Sequence, residues 1–520
     1  MAGGIVDPRA AQSRLVCGGM FHRLLIANRG EIAVRVIRAC RELGISPVAV
    51  YSEADAHAMH VRMADAAYLI GPPPAAESYL RIDSILEAAR LAGAEAVHPG
   101  YGFLAENADF AQACADAGLV FVGPPPKAMR DLGLKTEARK LMQSAGVPVV
   151  PGTLEPVSSV HEAQRAADKT GYPIALKAVA GGGGKGLRII HESNMLEAAF
   201  RQATSEAGAA FGNAAVYLER AIARPRHVEV QILADQHGKC VYLGERDCSV
   251  QRRHQKVIEE SPSPAVSPEL RAHMGEVAVR AALAAGYTNA GTVEFLLAPS
   301  MEFFFLEVNA RLQVEHPVTE MVTGIDLVHE QLRIAAGEAL GYGQSAIQPR
   351  GYAIECRVYA EDPSNGFLPS TGKLIGYRPP GGPGVRVDSG VEEDAAISVY
   401  YDPMIAKLIV WAADRPRGLA RMARALDEFL VLGVHTSIPL HRWLVAHPEV
   451  RSGDVDTTWL ERTWSDATAA QVADAEVETA AVVAALLADG TRAAPAPAGE
   501  RVPDGTTSAW RLAGRRAALH

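Results

Sequence analysis

Features that define several other classes of protein are missing from this 520-residue sequence. It contains no apolar run approaching the roughly 20 residues that a membrane-spanning helix requires. Its six cysteines lie far apart without a C-x-x-C pair, which argues against a zinc site and against a disulfide framework. The sequence therefore predicts no membrane segment and a cytoplasmic location, where cysteines stay reduced.

An excess of positive charge is missing as well. The 51 lysines and arginines are outnumbered by 60 aspartates and glutamates, which gives a net charge of −9. Only one short basic run, QRRHQK at residues 251–256, interrupts this acidic background. Because a nucleic-acid footprint normally spreads over a whole face, we expect this run to hold small anions and expect no nucleic-acid partner.

Two common nucleotide-binding signatures are also missing. The first strand–turn–helix–strand unit, residues 22–51, has no G-x-G-x-x-G. In the glycine-rich run at residues 180–186, Lys185 is followed by Gly186 where a Walker A loop needs Ser or Thr, so we set a P-loop kinase aside. Strand–helix alternation nevertheless continues to about residue 123 and predicts a doubly wound N-terminal domain.

The glycine-rich run itself is present between two predicted strands. A strand at residues 172–179 carries Lys177 directly into it, and a second strand follows at residues 187–190. Consecutive glycines permit positive φ values and close approach to a ligand, and successive N–H groups form an anion-binding nest. We interpret the run, with Gly183 and Gly184, as a flap over phosphate groups; a flexible linker is the alternative.

The densest group of chemically active residues follows two apolar segments, residues 291–296 and 303–306, which predict a β-hairpin. One face of this hairpin would present three oxygen ligands, and the chain beyond it adds a cation and an acid: Glu294, Glu307 and Asn309, then Arg311 and Glu315. Hard oxygen ligands on a rigid sheet suit Mg²⁺. Like charges crowded onto a sheet otherwise repel one another, so the pattern predicts a metal and phosphate site.

The last third of the chain reads as mostly β structure. Alternation along residues 351–359 places Glu355, Arg357 and Tyr359 on one polar face. A last strand that ends at residues 411–415, a helix at 415–431 and the segment 459–464 would complete the globular part. An Ala-rich helix at 465–489 and a Pro, Ala and Gly linker are expected after it.

With these motifs, residues 21–464 resemble the biotin carboxylase family of ATP-grasp ligases, in particular the biotin carboxylase part of acyl-CoA carboxylase α subunits. The segments YDPMIAKL at 401–408 and WAADR at 411–415 are most similar to the methylcrotonyl-CoA type. The resemblance implies an α/β plus α+β fold with the following division: a disordered extension (1–20), an N-terminal doubly wound biotin carboxylase domain (21–134), an ATP-grasp domain (135–350) with a mobile glycine-rich flap (about 151–222), a mostly β C-terminal biotin carboxylase domain (351–464), and a helix and linker without a biotinyl domain (465–520).

The resemblance also implies roles for individual residues. ATP would be bound by Lys135, Lys177, Gly183, Gly184, Glu219, Arg220, Ala221, Ile222, His227, Gln251 and His254. Mg²⁺, with Mn²⁺ as an alternative, would be held by Glu294, Glu307 and Asn309. Bicarbonate would be held by Lys256, Arg311, Gln313 and the backbone N–H of Val314. Glu315 would be the base, and Arg357 would face the ureido oxygen of biotin. The expected catalytic residues are therefore Lys256, Arg311, Glu315 and Arg357.

The implied reaction is the ATP- and Mg²⁺-dependent carboxylation of carrier-bound biotin by bicarbonate, through carboxyphosphate. No lysine stands in an Ala-Met-Lys-Met setting, so we expect a biotin carboxyl carrier domain or protein as partner, a carboxyltransferase β subunit, and a homodimer or larger assembly. Two alternatives stay open: another ATP-grasp ligase with an acyl-phosphate intermediate, and a non-catalytic nucleotide-binding scaffold. The sequence does not identify the acyl-CoA that is finally carboxylated.

Overall fold

The computed structural model describes residues 19–179 and 187–472. Residues 1–18 of the predicted N-terminal extension, the glycine run with Gly183 and Gly184, and most of the Ala-rich helix and linker lie outside the described residues. A compact unit that ends at Ala469 contains the elements discussed below. Within the described residues, no helix combines the length and the apolar character needed to cross a membrane.

The strands are β1 (Arg23–Ile26), β2 (Ser46–Ser52), β3 (Ala66–Gly71), β4 (Ala96–His98), β5 (Val120–Phe121), β6 (Ile174–Ala178), β7 (Arg188–Ile190), β8 (Val216–Arg220), β9 (Arg226–Ala234), β10 (Cys240–Arg252), β11 (Gln255–Ser261), β12 (Asn289–Leu297), β13 (Phe303–Asn309), β14 (Tyr352–Tyr359), β15 (Glu361–Asp362), β16 (Leu368–Pro369), β17 (Gly372–Lys373), β18 (Gly376–Arg378), β19 (Val385–Ser389), β20 (Ala396–Ile397), β21 (Met404–Ala412) and β22 (Leu430–Leu432).

The α-helices are Gly30–Glu42, Met59–Met63, Ile82–Ala92, Ala108–Asp116, Pro126–Gly133, Lys135–Ser144, Val160–Thr170, Leu196–Phe211, Pro268–Ala284, His316–Thr323, Leu327–Ala335, Arg415–Glu428, Ile438–Ala446, Pro448–Ser452 and Trp459–Thr463.

The N-terminal part is a five-stranded parallel sheet with the order β3-β2-β1-β4-β5. The doubly wound architecture that the strand–helix alternation predicts is confirmed. Leu24, Leu25 and Ile26 of the central strand β1 are fully buried, which is typical of a parallel sheet covered on both faces. The order reverses between β1 and β4. Beyond their carboxyl ends, Asn28 donates hydrogen bonds to the carbonyls of Pro99 and Tyr101, each at 2.7 Å. This edge is where an open α/β sheet normally places its site.

A small antiparallel sheet with the order β7-β6-β8 follows the N-terminal part along the chain. Apolar residues of helices Val160–Thr170 and Leu196–Phe211 pack with its buried strands in one core. The alternation of the strands leaves Lys177 on β6 and Glu219 on β8 to face away from this core. The sheet therefore presents polar groups toward the rest of the structure.

The largest sheet has eight strands in the order β13-β12-β9-β10-β11-β14-β21-β19, and every neighbouring pair is antiparallel. The predicted hairpin is confirmed as β12 and β13. The sheet runs without interruption from β11 to β14, where Glu259 lies opposite Glu355. Strands before and after residue 350 therefore share one hydrogen-bonded surface.

Two local predictions are wrong. The sequence pattern at about residues 127–145 predicts a single helix, but this stretch forms two helices, because Leu134 between them is extended, with φ −99° and ψ 114°. Gly133 ends the first helix, and glycine is a poor residue for a helix interior. The strand that ends near residue 412 is not the last one, because β22 follows the helix and pairs with β18. Three residues are too few for a periodicity signal.

The residue that follows β19 of the eight-stranded sheet, Gly390, packs closely against the start of helix Gly30–Glu42. A side-chain carbon at Gly390 would overlap the backbone of Gly30 and Glu31, which cannot rotate away as a flexible side chain could. We therefore expect Gly390→Ala to lower the free energy of unfolding by about 1–3 kcal/mol, the usual effect of overpacking. Urea titration measures the change. Gly381→Ala is the matched control, since nothing lies within 4 Å of that position, and equal stability of the two variants would contradict the prediction.

Candidate active site

A cavity of about 660 Å³ lies between the three-stranded and the eight-stranded sheet. This volume is in the range of ordinary small-ligand pockets, roughly 300–1,000 Å³. Nearly all of the residues predicted from the sequence line it: Lys135, Lys177, Glu219, Arg220, Ala221, Ile222, His227, Gln251, His254, Lys256, Glu294, Glu307, Asn309, Arg311, Gln313, Val314 and Arg357. The fold thus gathers one group from segments that are distant in the chain.

A row of charged residues crosses four neighbouring strands beside this cavity. Glu307 on β13 lies opposite Glu294 on β12, Glu294 lies opposite Glu229 on β9, and Glu229 lies opposite Arg246 on β10. Directly opposed like charges destabilise a sheet unless cations lie between them. We refer to Glu307, Glu294, Glu229 and Arg246 as the charged row.

Lys256, near the start of β11, is the cation at the centre of the site. Its Nζ lies 2.5 Å from Glu229 Oε2, 2.9 Å from Glu294 Oε1 and 2.7 Å from Glu315 Oε1. Burial would lower the pKa of Lys256, but these three carboxylates raise it well above its usual value. The ammonium group therefore stays charged and connects the charged row to Glu315.

Arg246 and Glu229 also belong to this site, although they are not among the residues predicted from the sequence. The fully buried guanidinium of Arg246 lies 2.5 Å from Glu229 Oε1 and donates to Gln231 at 2.7 Å, to Thr319 at 2.9 Å and to Thr292 at 3.0 Å. Burial would raise the pKa of Glu229, but Arg246 and Lys256 lower it to about 2. The signal in the sequence is the spacing of His227, Glu229 and Gln231, polar at every second position of β9.

The three predicted metal ligands lie together on one face of the hairpin. Glu294 lies opposite Glu307 in the register, and Asn309 follows two positions after Glu307. Burial would raise the pKa of Glu294, but Lys256 and His227 lower it well below its usual value. Glu307 Oε2 lies 3.6 Å from Lys135 Nζ. Two opposed carboxylates and an amide oxygen are a donor set that fits Mg²⁺.

His227 and Gln251 contact one another beside the predicted metal ligand Glu294. His227 Nε2 lies 3.0 Å from Glu294 Oε2, and Gln251 Nε2 lies 3.0 Å from His227 Nδ1. Burial would lower the pKa of His227, but Glu294 raises it overall. The structure therefore places the His227 ring against a predicted metal ligand, while His227 and Gln251 both still line the cavity.

Glu315 stands between two cations. Lys256 contacts its Oε1, and Arg357 Nη2 donates to its Oε2 at 2.8 Å. Burial would raise the pKa of the Glu315 carboxyl, but Lys256, Arg357 and Arg246 lower it overall. Glu315 is therefore an ionised carboxylate at neutral pH, positioned just before helix His316–Thr323. It is able to accept a proton.

Arg357 and Glu259 face one another behind this carboxylate. Arg357 Nε donates to Glu259 Oε1 at 2.6 Å, from the neighbouring strand β11. The pKa of Arg357 is raised well above its usual value, because Glu259 and Glu315 outweigh the effect of burial. Burial and the nearby Glu315 raise the pKa of Glu259 to about 7, although Arg357 opposes this shift. Glu259 was also missed in the sequence.

Arg311 lies at the hairpin end of the cavity. Its guanidinium donates to Gln313 Oε1 at 2.7 Å, to Asn309 Oδ1 at 3.0 Å and to Glu106 Oε2 at 3.0 Å. Glu106 comes from the N-terminal part, and its other oxygen accepts from the N–H of Ala310 at 3.0 Å. The loop between β13 and Glu315 is thus bound to the turn that precedes helix Ala108–Asp116 in the N-terminal part.

The opposite wall carries the predicted nucleotide contacts. Lys177 and Arg139 both pair with the buried carboxylate of Glu219, Arg139 at 2.9 Å. His254 lies in the turn between β10 and β11 with φ 64°. Positive φ is uncommon for residues other than glycine and often marks functional turns. Arg139 was not predicted, because nothing in its helical position indicates that it faces Glu219.

Three family models match this chain. The model described as Biotin carboxylase, N-terminal domain matches residues 20–129, and the Biotin carboxylase C-terminal domain matches residues 355–462. Between them, the model described as Carbamoyl-phosphate synthase L chain, ATP binding domain matches residues 135–342. The three matches together include every predicted site residue that lines the cavity.

Full-length relatives and solved structures agree with these matches. The biotin carboxylase of Nostoc sp. is 53% identical over 441 residues, which cover 85% of this chain and 99% of that protein. The mitochondrial methylcrotonoyl-CoA carboxylase subunit alpha of Rattus norvegicus is 49% identical over 450 residues, 86% of this chain and 63% of the relative. The biotin carboxylase domain dimer of Hydrogenobacter thermophilus 2-oxoglutarate carboxylase, solved with MgADP, ADP and bicarbonate, has a TM-score of 0.83 at 48% identity and covers 86% of this chain and 98% of that chain.

The raised pKa of Glu259 predicts a specific pH dependence of stability. The folded protein holds the Glu259 proton with a pKa of about 7, whereas an unfolded chain releases it near pH 4.3. The stability that this group contributes is therefore complete below about pH 4.3 and is lost as the pH rises through about 7. Gln does not titrate, so the free energy of unfolding of Glu259→Gln minus that of wild type should become more positive as the pH rises from 5 to 8.5. Urea titrations at several pH values measure this difference. A pH-independent difference would contradict this.

Proposed function

Since this chain belongs to the biotin carboxylase family, we propose that the cavity lined by Lys135, Lys256 and Arg357 is where it uses ATP to carboxylate carrier-bound biotin. The chain is an ATP-dependent ligase with a biotin carboxylase fold, and its substrates are ATP, bicarbonate and biotin. The observation that carries the assignment of the site is the position of Glu315. It is an ionised carboxylate between the predicted bicarbonate lysine and the predicted biotin arginine.

The first chemical step needs a base and an anion clamp. Lys256, Arg311, Gln313 and the N–H of Val314 hold bicarbonate, and Glu315 takes its proton. A bicarbonate oxygen then bonds to the γ-phosphorus of ATP while the bond to the β-phosphate oxygen breaks, which yields carboxyphosphate and ADP. Because phosphoryl transfer depends on positioning and charge neutralisation, the convergence of Lys and Arg side chains on this cavity supports the assignment.

The charged row supplies the metal-binding side of the same reaction. Glu294 and Glu307, with Asn309, would hold Mg²⁺, for which Mn²⁺ is an alternative. The donor set consists of hard oxygens, and the two carboxylates face one another across β12 and β13. When bound, the metal neutralises charge on the transferring phosphate oxygens. Lys135 and Lys177 lie on the side of the cavity where the phosphates and the nucleotide would be held.

The second chemical step transfers the carboxyl group. Carboxyphosphate breaks into CO₂ and phosphate, the phosphate removes the proton from biotin N1, and N1 bonds to the carbon of CO₂. Arg357 stabilises the negative charge that develops on the ureido oxygen of biotin. A closed cavity protects carboxyphosphate from water, and Arg220, Ala221, Ile222, His227, Gln251 and His254 would enclose the nucleotide side.

We propose an acyl-CoA as the final carboxyl acceptor and a homodimer or larger assembly as the working form. A biotin carboxyl carrier and a carboxyltransferase β subunit would be its partners. The rat relative is named as the alpha subunit of a methylcrotonoyl-CoA carboxylase, and the similar Hydrogenobacter structure is described as a dimer. We also propose a cytoplasmic location, which is supported by the unpaired state of the five cysteines within the described residues.

The test of the proposed function is an ATPase assay with and without bicarbonate and free biotin. Phosphate release is expected to require Mg²⁺ and bicarbonate and to rise with free biotin. Glu315→Gln should reduce the bicarbonate-dependent rate by about 10²–10⁴-fold, because the base is lost, while ATP binding stays nearly normal. The exposed Glu338→Gln is the control. Full ATPase activity without bicarbonate would reject the function, and near-normal turnover of Glu315→Gln would reject the role of Glu315.

Arg357→Ala separates the two chemical steps. Its proposed partner is the biotin oxygen, so formation of carboxybiotin should fall at least about 10-fold more than bicarbonate-dependent ATP cleavage. Incorporation of labelled bicarbonate into free biotin, compared with phosphate release, measures this ratio. Arg424→Ala, an exposed pair with Glu428, is the control. Equal loss of both activities would assign Arg357 to the bicarbonate site or to the fold.

A further inference from the structure

Lys407 is a lysine with no access to solvent, in the middle of β21. Its Nζ donates to the carbonyl oxygen of Val314 at 2.9 Å and lies 3.2 Å from Glu31 Oε1 and 3.9 Å from Asp388 Oδ2. A buried ammonium is costly unless it is paired and hydrogen-bonded. The chain keeps such a group beside the loop that carries Val314 and Glu315.

The partners of Lys407 come from different parts of the fold. Glu31 lies in the first turn of helix Gly30–Glu42, and Asp388 on β19 is the cross-strand neighbour of Lys407. On the other side, β14 places Arg357 directly opposite Lys407. Glu355, on the same face of β14, is fully buried, and neither of its carboxyl oxygens has a hydrogen-bond partner. Lys407 thus lies near the acids Glu31, Asp388 and Glu355. One of its N–H groups is nevertheless donated to the neutral carbonyl of Val314.

The bond to Val314 has a direct geometric effect on the site. The carbonyl of Val314 belongs to the peptide unit that joins Val314 to Glu315. When that carbonyl is held, the rotation about this junction is restricted, and the Glu315 side chain is aimed at Lys256 and Arg357. A hydrogen bond from a charged donor is stronger than one from a neutral donor. An apolar side chain on β21 could pack there but could not hold the peptide.

We propose that Lys407 is a positioning residue for bicarbonate binding. By holding the Val314 carbonyl it fixes the Val314–Glu315 peptide, and this directs the Glu315 carboxylate toward Lys256, the predicted bicarbonate lysine. The inference rests on the proposed function of Val314 and Glu315. It assigns the buried ammonium a role beyond its ion pairs with Glu31 and Asp388. Lys407 does not touch the substrate in this arrangement and acts only through the loop.

The test compares two variants that remove different contacts of the same lysine. Lys407→Met removes the bond to Val314, whereas Glu31→Gln removes one ion pair and leaves that bond. The KM for bicarbonate in the ATPase assay is expected to rise by about 10- to 100-fold in Lys407→Met, while the KM for ATP changes less than about twofold. In Glu31→Gln both values should stay close to wild type. The exposed Lys373→Met is the control for loss of a paired lysine.

A purely structural role gives a different result. If Lys407 only balances buried acids, the KM for bicarbonate stays unchanged in Lys407→Met, or Glu31→Gln raises it equally, and either result overturns the proposal. The double variant Lys407→Met/Glu31→Gln removes a buried pair together, a change that proteins often tolerate, and provides the same measurement in a folded protein if the single variant unfolds. Wild-type ATPase that does not depend on bicarbonate would overturn the proposed function itself.

Discussion

The balance of buried charge is the constraint on which the rest of this structure depends. The buried carboxylates of Glu229, Glu294 and Glu315 lie close together and are paired with the cations of Arg246, Lys256 and Arg357. Removing one member leaves another buried charge without compensation, which typically costs about 3–5 kcal/mol. Such a cluster adds little stability over a well-packed apolar core. Its presence is explained by a site that must exchange internal partners for anions and cations.

Continuity of the eight-stranded sheet makes this balance possible. Adjacent strands bring Glu294, Glu229 and Arg246 into one cross-strand row, and β14 continues the same surface to Arg357. Beside the site, Glu31 of helix Gly30–Glu42 pairs with Lys407, and Glu106 binds Arg311 from the N-terminal part. The site is therefore shared among all parts of the described chain, and no single segment contains it.

Local patterns were sufficient where neighbouring residues decide the structure. The doubly wound architecture and the β12–β13 hairpin follow from the alternation of apolar and polar segments, and Glu294 and Glu307 share a face because a strand has period two. The break at Leu134 was missed, because a helical pattern continues on both sides of it. The short strand β22 was not predicted, because its three residues pair with β18, which is distant in the sequence and which no local pattern reveals.

Local periodicity and short motifs were enough to place most strands and helices along the chain and to recognise the resemblance to biotin carboxylases. The resemblance in turn named most of the site residues that meet in the cavity. Which charges pair with one another depends on the tertiary structure. Glu229, Arg246, Glu259 and Lys407 all pair with residues from other elements of the fold. In the sequence Lys407 is an ordinary lysine in an apolar strand, and only the fold places Val314, Glu31 and Asp388 around it. Register and burial set these contacts, and both arise only when distant strands pair.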